Sequence, residues 1–304
     1  MTLKQLEAFY WAATCISFAV AAERSHVSGS TLSKRLAELE ESLGLQLFDK
    51  SGRNAVLTVH GERLLPLAKE MLGQAAAIRT VLGASTGLVG RLRIGMGEMS
   101  ALTWLPRLVA RVAELHPDLE LEPVVGNDVL LERRLEDGEL DCAVLAGLSS
   151  RATLAAQPVA SAELAWVAAG TLIARAGSRQ PAAMANRFAF ISLPSGSGPT
   201  RALDRWSAQH GTTVFKRLAC NSWGGVVGLI AEGLGFGLMP RLWAEDMAAL
   251  GKIELLDDSE DVPPLEYVLQ WRRDDARHAV AEMRGLVADM IGFSTPRCFI
   301  PPAS

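Results

Sequence analysis

The sequence predicts two fold classes in one chain: an all-α head with a long helix behind it, then a two-lobed α/β body. Three observations predict this. Apolar residues from Leu3 to Leu43 recur at helical spacing in three short runs. One broad apolar stripe follows, from Leu64 to Leu82. From Arg91 onward, short apolar runs alternate with amphipathic helices, the pattern of an α/β sheet. A length of 304 residues accommodates a small domain and a larger one.

The head is justified element by element. Leu3, Leu6, Phe9 and Tyr10 make residues 3–14 an amphipathic helix. Ser17 caps a second helix whose Phe18, Ala21 and Ala22 face inward, the small pair letting another helix approach. Ser28 caps a third helix, 29–42, with a buried stripe of Leu32, Leu36, Leu39 and Leu43, and Gly44 stops it. Leu47-Phe48 and Val56-Leu57 are short strands flanking Asp49-Lys50-Ser51-Gly52-Arg53-Asn54. This order is that of a winged helix-turn-helix, in which the third helix enters the DNA major groove. Its outward face carries Ser30, Thr31, Ser33, Lys34 and Arg35, with Ser28 at its start. Hydroxyls can bond phosphates or base edges, and the two cations release counterions. Lys50 and Arg53 on the wing are placed to touch backbone or minor groove. Taken alone, such a face fits a solvated surface equally well; the agreement of caps, glycine stop and wing favours DNA.

Residues 60–84 read as one helix striped by Leu64, Leu67, Ala68, Met71, Leu72, Ala75, Ile78, Val81 and Leu82. Such a stripe packs either on its own head or on a second copy. Ser85-Thr86-Gly87 and Gly90 then form a linker. In the body, Leu92–Gly95, Leu119–Val124 and Cys142–Leu145 read as strands, with helices at 102–115 and 128–137 between them. The rhythm repeats with strands at 164–168, 188–191, 216–220 and 233–240, and helices at 200–210 and 223–232. A last strand, 267–271, and a helix, 275–291, close the chain. The sheets are expected to be mainly parallel. The expected divisions are a head of 1–59, a linker and dimerisation helix of 60–88, and a body of 89–304. Within the body, lobe I spans about 89–161 and 268–304, and lobe II about 162–267.

Ligands of open α/β sheets bind where strands end and helices begin. Four such junctions supply candidate residues: Glu98, Met99 and Ser100; Asn127; Ser195, Ser197 and Thr200; Ser222 and Trp223. Converging helix N-termini favour a carboxylate, so a small organic acid, with an aromatic part for Met99 and Trp223 to cover, is the expected effector. Glu98 opposes a simple anion site and suits an amine or hydroxyl instead. Ser222 and Thr200 also serve as plain helix caps, and Gly196 and Gly198 as plain turn residues.

The chain resembles the LysR-type transcriptional regulators. The resemblance rests on Ser17-Phe18, Ala21-Ala22-Glu23, Val27-Ser28, Ser30, Ser33, Leu39-Glu40, Leu43-Gly44, Leu47-Phe48, Leu57-Thr58 and Gly61, in order and spacing, and the later pattern extends it over essentially the whole chain. Three positions depart from the family pattern: Ile16 for glycine, Ser25 for leucine and Gly29 for a glutamine that often reads a base. Gly29 cannot make a bidentate base contact. The resemblance implies a body like type 2 periplasmic binding proteins, with Ser100, Thr200 and the strand end near Ser222 lining an inducer cleft. It also implies homodimers joined through the long helix and paired into a homotetramer, half-sites about one turn of duplex apart, and contact with RNA polymerase.

Composition narrows the alternatives. A net charge of −4 excludes a polybasic nucleic-acid coat, so DNA affinity comes from local placement and paired heads. Cys15, Cys142, Cys220 and Cys298 are far apart, and the five histidines lack ligand spacing, so no metal or cofactor is expected. Gly233-Leu234-Gly235-Phe236-Gly237 leads into a strand and lacks dinucleotide spacing, and no serine sits in a nucleophile elbow, so no enzyme is expected. No apolar run suits secretion or a bilayer, which points to the cytoplasm. Two alternatives stand beside the regulator: a redox-sensing member of the same family, using Cys142 and Cys220, and a solute-binding transport protein.

Overall fold

The computed structural model describes residues 1–49, 56–81, 87–147, 151–257, 262–275 and 277–299. Three helices, Leu3–Thr14 (α1), Phe18–Arg24 (α2) and Gly29–Leu43 (α3), build the head. Each begins at a side-chain cap. Thr2 and Gln5 form a reciprocal capping box on α1. Ser17 Oγ accepts from Val20 N at 3.2 Å, and Ser28 Oγ accepts from Thr31 N at 3.2 Å. Gly44 ends α3 at φ +67°, a conformation a side chain would strain. Leu6, Phe9, Ala21, Leu32, Leu36 and Leu39 close the core, and Phe48 meets Phe9 at a tilt and Phe18 edge-on, with centroids 5.7 and 5.4 Å apart. Leu43, expected in the buried stripe, is 37% exposed because it sits on the last helical position.

Strands Phe48–Asp49 (β1) and Val56–Leu57 (β2) pair antiparallel at the wing base. The helix Val59–Val81 (α4) leaves the wing. At Gly61 it passes so close to β1 that an added Cβ would lie 2.4 Å from Leu47 O. Its stripe divides. Ala68 is buried and Leu64, Leu65 and Leu72 pack on the head, while Leu67, Met71 and Ile78 face outward. The Leu82, Ser85 and Thr86 positions lie outside the described residues.

The body holds two five-stranded sheets. In chain order the strands are Gly90–Met96 (β3), Leu119–Val125 (β4), Cys142–Ala146 (β5), Leu154–Ala162 (β6), Leu164–Ala168 (β7), Ala189–Ser192 (β8), Arg217–Ala219 (β9), Gly235–Pro240 (β10), Glu254–Leu255 (β11) and Leu265–Arg272 (β12). Lobe I has the order β4-β3-β5-β12-β6, and lobe II the order β11-β7-β10-β8-β9. Both are mixed rather than mainly parallel: β4, β3 and β5 run parallel, as do β10, β8 and β9, while β12, β6, β7 and β11 pair antiparallel. The antiparallel pairs belong to the segments where the chain passes between lobes. Pro123 on β4 and Pro158 on β6 both occupy edge strands, where a missing N–H costs no ladder bond inside the sheet.

Helices Glu98–Thr103 (α5) and Leu105–Leu115 (α6) replace the single helix expected at 102–115, with the break at Trp104, whose ring is fully buried. Asp128–Glu136 (α7) completes the first half of lobe I. Lobe II adds Gly170–Ala176 (α8), Pro181–Ala185 (α9), Gly198–His210 (α10), Trp223–Ala231 (α11) and Arg241–Ala249 (α12) around a core of Trp166, Trp206, Phe190 and Phe236. His278–Met290 (α13) returns to lobe I.

Head and lobe I meet in a buried ionic joint. Asp141 at the start of β5 accepts from Arg24 Nη1 at 2.8 Å, from the Arg93 amide at 2.6 Å and from Arg277. Asp275 holds the other side of Arg277 at 2.9 Å. The Arg24 and Arg277 guanidinium carbons both pack against the Trp11 ring, 4.5 and 4.6 Å from its centroid. Arg93 bridges Glu23 of the head at 2.5 Å and Glu122 of lobe I at 2.7 Å. Two further bonds cross the joint: Ile16 N to Asp137 O at 3.1 Å and Arg272 Nη1 to Thr14 O at 3.0 Å. This contact explains why Tyr10, Trp11 and Ala12 are buried although they end a helix of a three-helix head.

Candidate DNA-reading face and effector cleft

The reading face follows from α3's caps and stripe. With Leu32, Leu36 and Leu39 turned inward, Ser30, Ser33 and Lys34 are exposed and Thr31 and Arg35 half-exposed. Ser28 Oγ lies 2.9 Å from both Ser30 Oγ and Thr31 Oγ1, so the first turn presents a cluster of hydroxyls. The nearest carboxylate to Lys34 is Glu38 at 4.0 Å, a loose surface pair that leaves the cation available. Lys50 and Arg53 lie outside the described residues. Sequence reading missed Glu40. It is buried, and its carboxylate accepts from Leu47 N at 2.7 Å and Phe48 N at 3.2 Å, fixing the wing base to α3. Arg35→Ala is expected to weaken DNA binding and to flatten the log–log salt slope by about 0.9. Titrations at several salt concentrations check this, and an unchanged slope would remove Arg35 from the phosphate contacts.

In the body, contacts of opposite polarity join the lobes at the strand ends. Glu98, at the start of α5 in lobe I, accepts from Ser222 Oγ at 3.1 Å and from Trp223 N at 2.7 Å, the N-terminus of α11 in lobe II. Arg201 of α10 in lobe II donates through Nη2 to Ala146 O at 2.7 Å in lobe I and lies 3.7 Å from Asp128. Glu98, Ser222 and Trp223 are thus brought together as expected from the strand ends. Ser100 is fully buried, and its hydroxyl finds no protein partner among the described residues. Met99 is buried with its sulfur 3.9 Å from the Tyr267 hydroxyl.

The other candidates have local duties. Asn127 caps α7 through Val129 N at 2.9 Å. Thr200 Oγ1 bonds Ser197 Oγ at 2.7 Å and Leu193 O at 3.0 Å, and Ser195 is exposed at the edge of this turn. The Trp223 ring, expected as a stacking surface, is 2% exposed and packs on Trp243 with centroids 5.3 Å apart, so its ring serves the lobe II core.

Arg201 is the interlobe residue that sequence reading did not name, whereas Asp128 belongs to the strand-end junction Gly126-Asn127-Asp128 that it did. Burial pushes the Asp128 carboxyl up to about 6, against the pull of Arg201. A raised carboxyl binds a proton more readily folded than unfolded, so its contribution to stability falls as pH climbs from about 3.8 to about 6. Asp128→Asn removes that loss. Thermal unfolding is expected to show the variant gaining on wild type across this window, by about 3 kcal/mol once the carboxyl is ionised. A gap independent of pH would refute the assignment.

Among the described residues, no group of three or more His, Cys, Asp or Glu could hold a metal, and no helix is long and apolar enough to cross a membrane. Burial raises the thiols of Cys15 and Cys142, while Cys220 is half-buried and Cys298 exposed.

Comparison with known proteins places both halves. Residues 3–62 match the family model of bacterial regulatory helix-turn-helix proteins of the lysR family, and residues 85–291 match the LysR substrate binding domain. The chain is 28% identical over 306 residues to the HTH-type transcriptional regulator IlvR of Caulobacter vibrioides, covering 95% of this chain and 98% of that protein. It is 38% identical over 159 residues to a probable hydrogen peroxide-inducible genes activator of Mycobacterium xenopi, covering 52% of this chain and 84% of that protein. The crystal structure of ArgP from Mycobacterium tuberculosis superposes with a TM-score of 0.67 at 21% identity, covering 96% of this chain and 98% of that one, and shares its fold. The winged head, the long helix and the two-lobed body, with family models matched across both, make this chain a member of the LysR family of DNA-binding transcriptional regulators.

Proposed function

We propose that this regulator binds specific promoter sequences through α3 and that a small organic acid, seated between the lobes, tunes that binding. The observation that carries the effector assignment is Glu98. A carboxylate from lobe I already occupies the Ser222 hydroxyl and Trp223 amide of lobe II. A free carboxylate of an effector takes the same two donors and displaces Glu98. The released Glu98 then suits an amine or hydroxyl on the same molecule. The lobes change their arrangement only if the effector binds one arrangement more tightly than the other.

The outward Leu67, Met71 and Ile78 of α4 give a second copy an apolar seam, so two heads act together as a homodimer, with pairing into a homotetramer and contact with RNA polymerase at the promoter. The cytoplasm, where promoter DNA is found, is its place of action. A thermal-shift panel of small carboxylates, amines and sugars, followed by a DNA footprint with each hit, tests the effector. Carboxylates are expected to raise the melting temperature and change the footprint. If only amines or sugars do so, the acid assignment is wrong.

The similarity to a protein named as a peroxide-inducible activator supports a second reading, control by oxidation. Cys142 is a poor thiolate in its buried strand and Cys220 belongs to the other lobe, so Cys220 is the thiol to test. An unchanged peroxide response of the footprint in Cys220→Ser would close this reading.

A further inference from the structure

We infer that Asp141 is a positioning residue for DNA recognition: acting through Arg24 and Arg277, it locks the reading head to lobe I so that the two turn as one body. Three sets of contacts carry this. The first is the Asp141 cluster, with the Arg24 side chain 4% and the Asp141 side chain 0% exposed. The second is the Glu23–Arg93–Glu122 bridge. The third is the pair of bonds from Ile16 N to Asp137 O and from Arg272 to Thr14 O. Contacts made by Thr14, Ile16, Glu23 and Arg24 of the head resist rotation as well as separation, because several residues of the head are held at once. The joint uses α1 and the end of α2, and leaves Ser30, Ser33 and Lys34 of the reading face exposed. It therefore aims the head rather than masking it. The part left to move on effector binding is lobe II.

The inference rests on paired heads but not on the identity of the effector. In a pair of heads so fixed, the separation and rotation of the two half-sites are set by the joint. Cys15 reports on the joint directly. It is half-buried there, and a Cβ on Gly138 of lobe I would lie 3.1 Å from its sulfur.

The experiment uses the full-length chain, with Asp141→Asn on the lobe side and Arg24→Gln on the head side. Alkylation by N-ethylmaleimide is followed at each cysteine by peptide mass spectrometry. Buried Cys142 serves as the control that lobe I stays folded. Duplexes selected by the wild type from a randomised library then give the half-site, and its spacing is altered by a few base pairs. Both variants are expected to alkylate Cys15 about tenfold faster than wild type, with Cys142 protected. They are expected to recognise the same half-site sequence. Wild type should lose about tenfold in affinity at the wrong spacing and the variants less than about threefold.

If Asp141→Asn exposes Cys142, it has unfolded, and Arg24→Gln decides alone. An open joint with wild-type spacing discrimination overturns the inference, and so does a Cys15 no faster than in wild type. Loss of the half-site sequence itself would place these residues in the head's own folding and also overturn it. A wild type indifferent to spacing would remove the paired-head reading and this inference together, whereas sharp wild-type spacing that the variants share removes only the inference.

Discussion

Asp141→Ala is expected to destabilise the chain by about 3–5 kcal/mol, the cost of leaving buried cations without their counter-charge. Arg24 has a side chain only 4% exposed, and Arg277 depends on Asp141 and Asp275 together. Burial by itself would raise the Asp141 carboxyl. The field of Arg277, the bond and field of Arg24 and the Arg93 amide outweigh it and hold the group well below the usual carboxylate range. A carboxyl depressed in this way contributes stability that is fully present above the unfolded value of about 4 and is lost as pH falls through the folded one. Chemical denaturation at neutral pH should therefore show the full deficit in the variant. The deficit should shrink at strongly acidic pH, where wild type loses the same interactions. A deficit under about 1 kcal/mol at neutral pH would mean that solvent reaches the cluster.

Glu40→Ala should destabilise the head by about 2–4 kcal/mol. The carboxylate is buried and takes the Leu47 and Phe48 amides, and its removal strands two donors at the wing base. DNA affinity should fall with it, because β1 and β2 then lose their fixed position beside α3. Glu40→Gln keeps an acceptor and should recover roughly half of the loss. Thermal unfolding and DNA titration of the two variants check this. Equal losses in both would show that charge, not hydrogen bonding, secures the wing.

The head was legible in the sequence because its signals are local. Ser17, Ser28 and Gly44 act within three residues of themselves, and the stripe of Leu32, Leu36 and Leu39 has one period. The alternation of the body was legible for the same reason, and so was the place of Glu98, Ser222 and Trp223 at strand ends, though not the bonds between them. β6 escaped because Pro158 interrupts a run rich in small residues, and only its edge position makes that proline acceptable. The joint escaped because its members are distant: Asp141 stands 117 residues from Arg24 and 136 from Arg277. In the sequence, Asp141 is simply the polar residue ahead of an apolar strand. Glu40 appeared in the sequence only as part of the Leu39-Glu40 pair of the resemblance, since nothing near it says that the chain folds back onto it. Pro106 stands in the first turn of α6 as a helix-start proline should, but α5, a separate short helix ending at the buried Trp104, escaped.

The strand order of lobe I also bears on synthesis. β12 stands between β5 and β6, so one interior strand of that sheet comes from residues 265–272, long after its neighbours have left the ribosome. Lobe II, with strands drawn only from residues 164–255, has no such wait. The nascent chain should therefore complete its second lobe first, while β5 and β6 stay open to wrong partners or chaperones. The head acquires its heading only afterwards, because Arg272 and Arg277 emerge after all the strands of lobe II. A chain cut short before β12 would carry a finished head that points nowhere in particular.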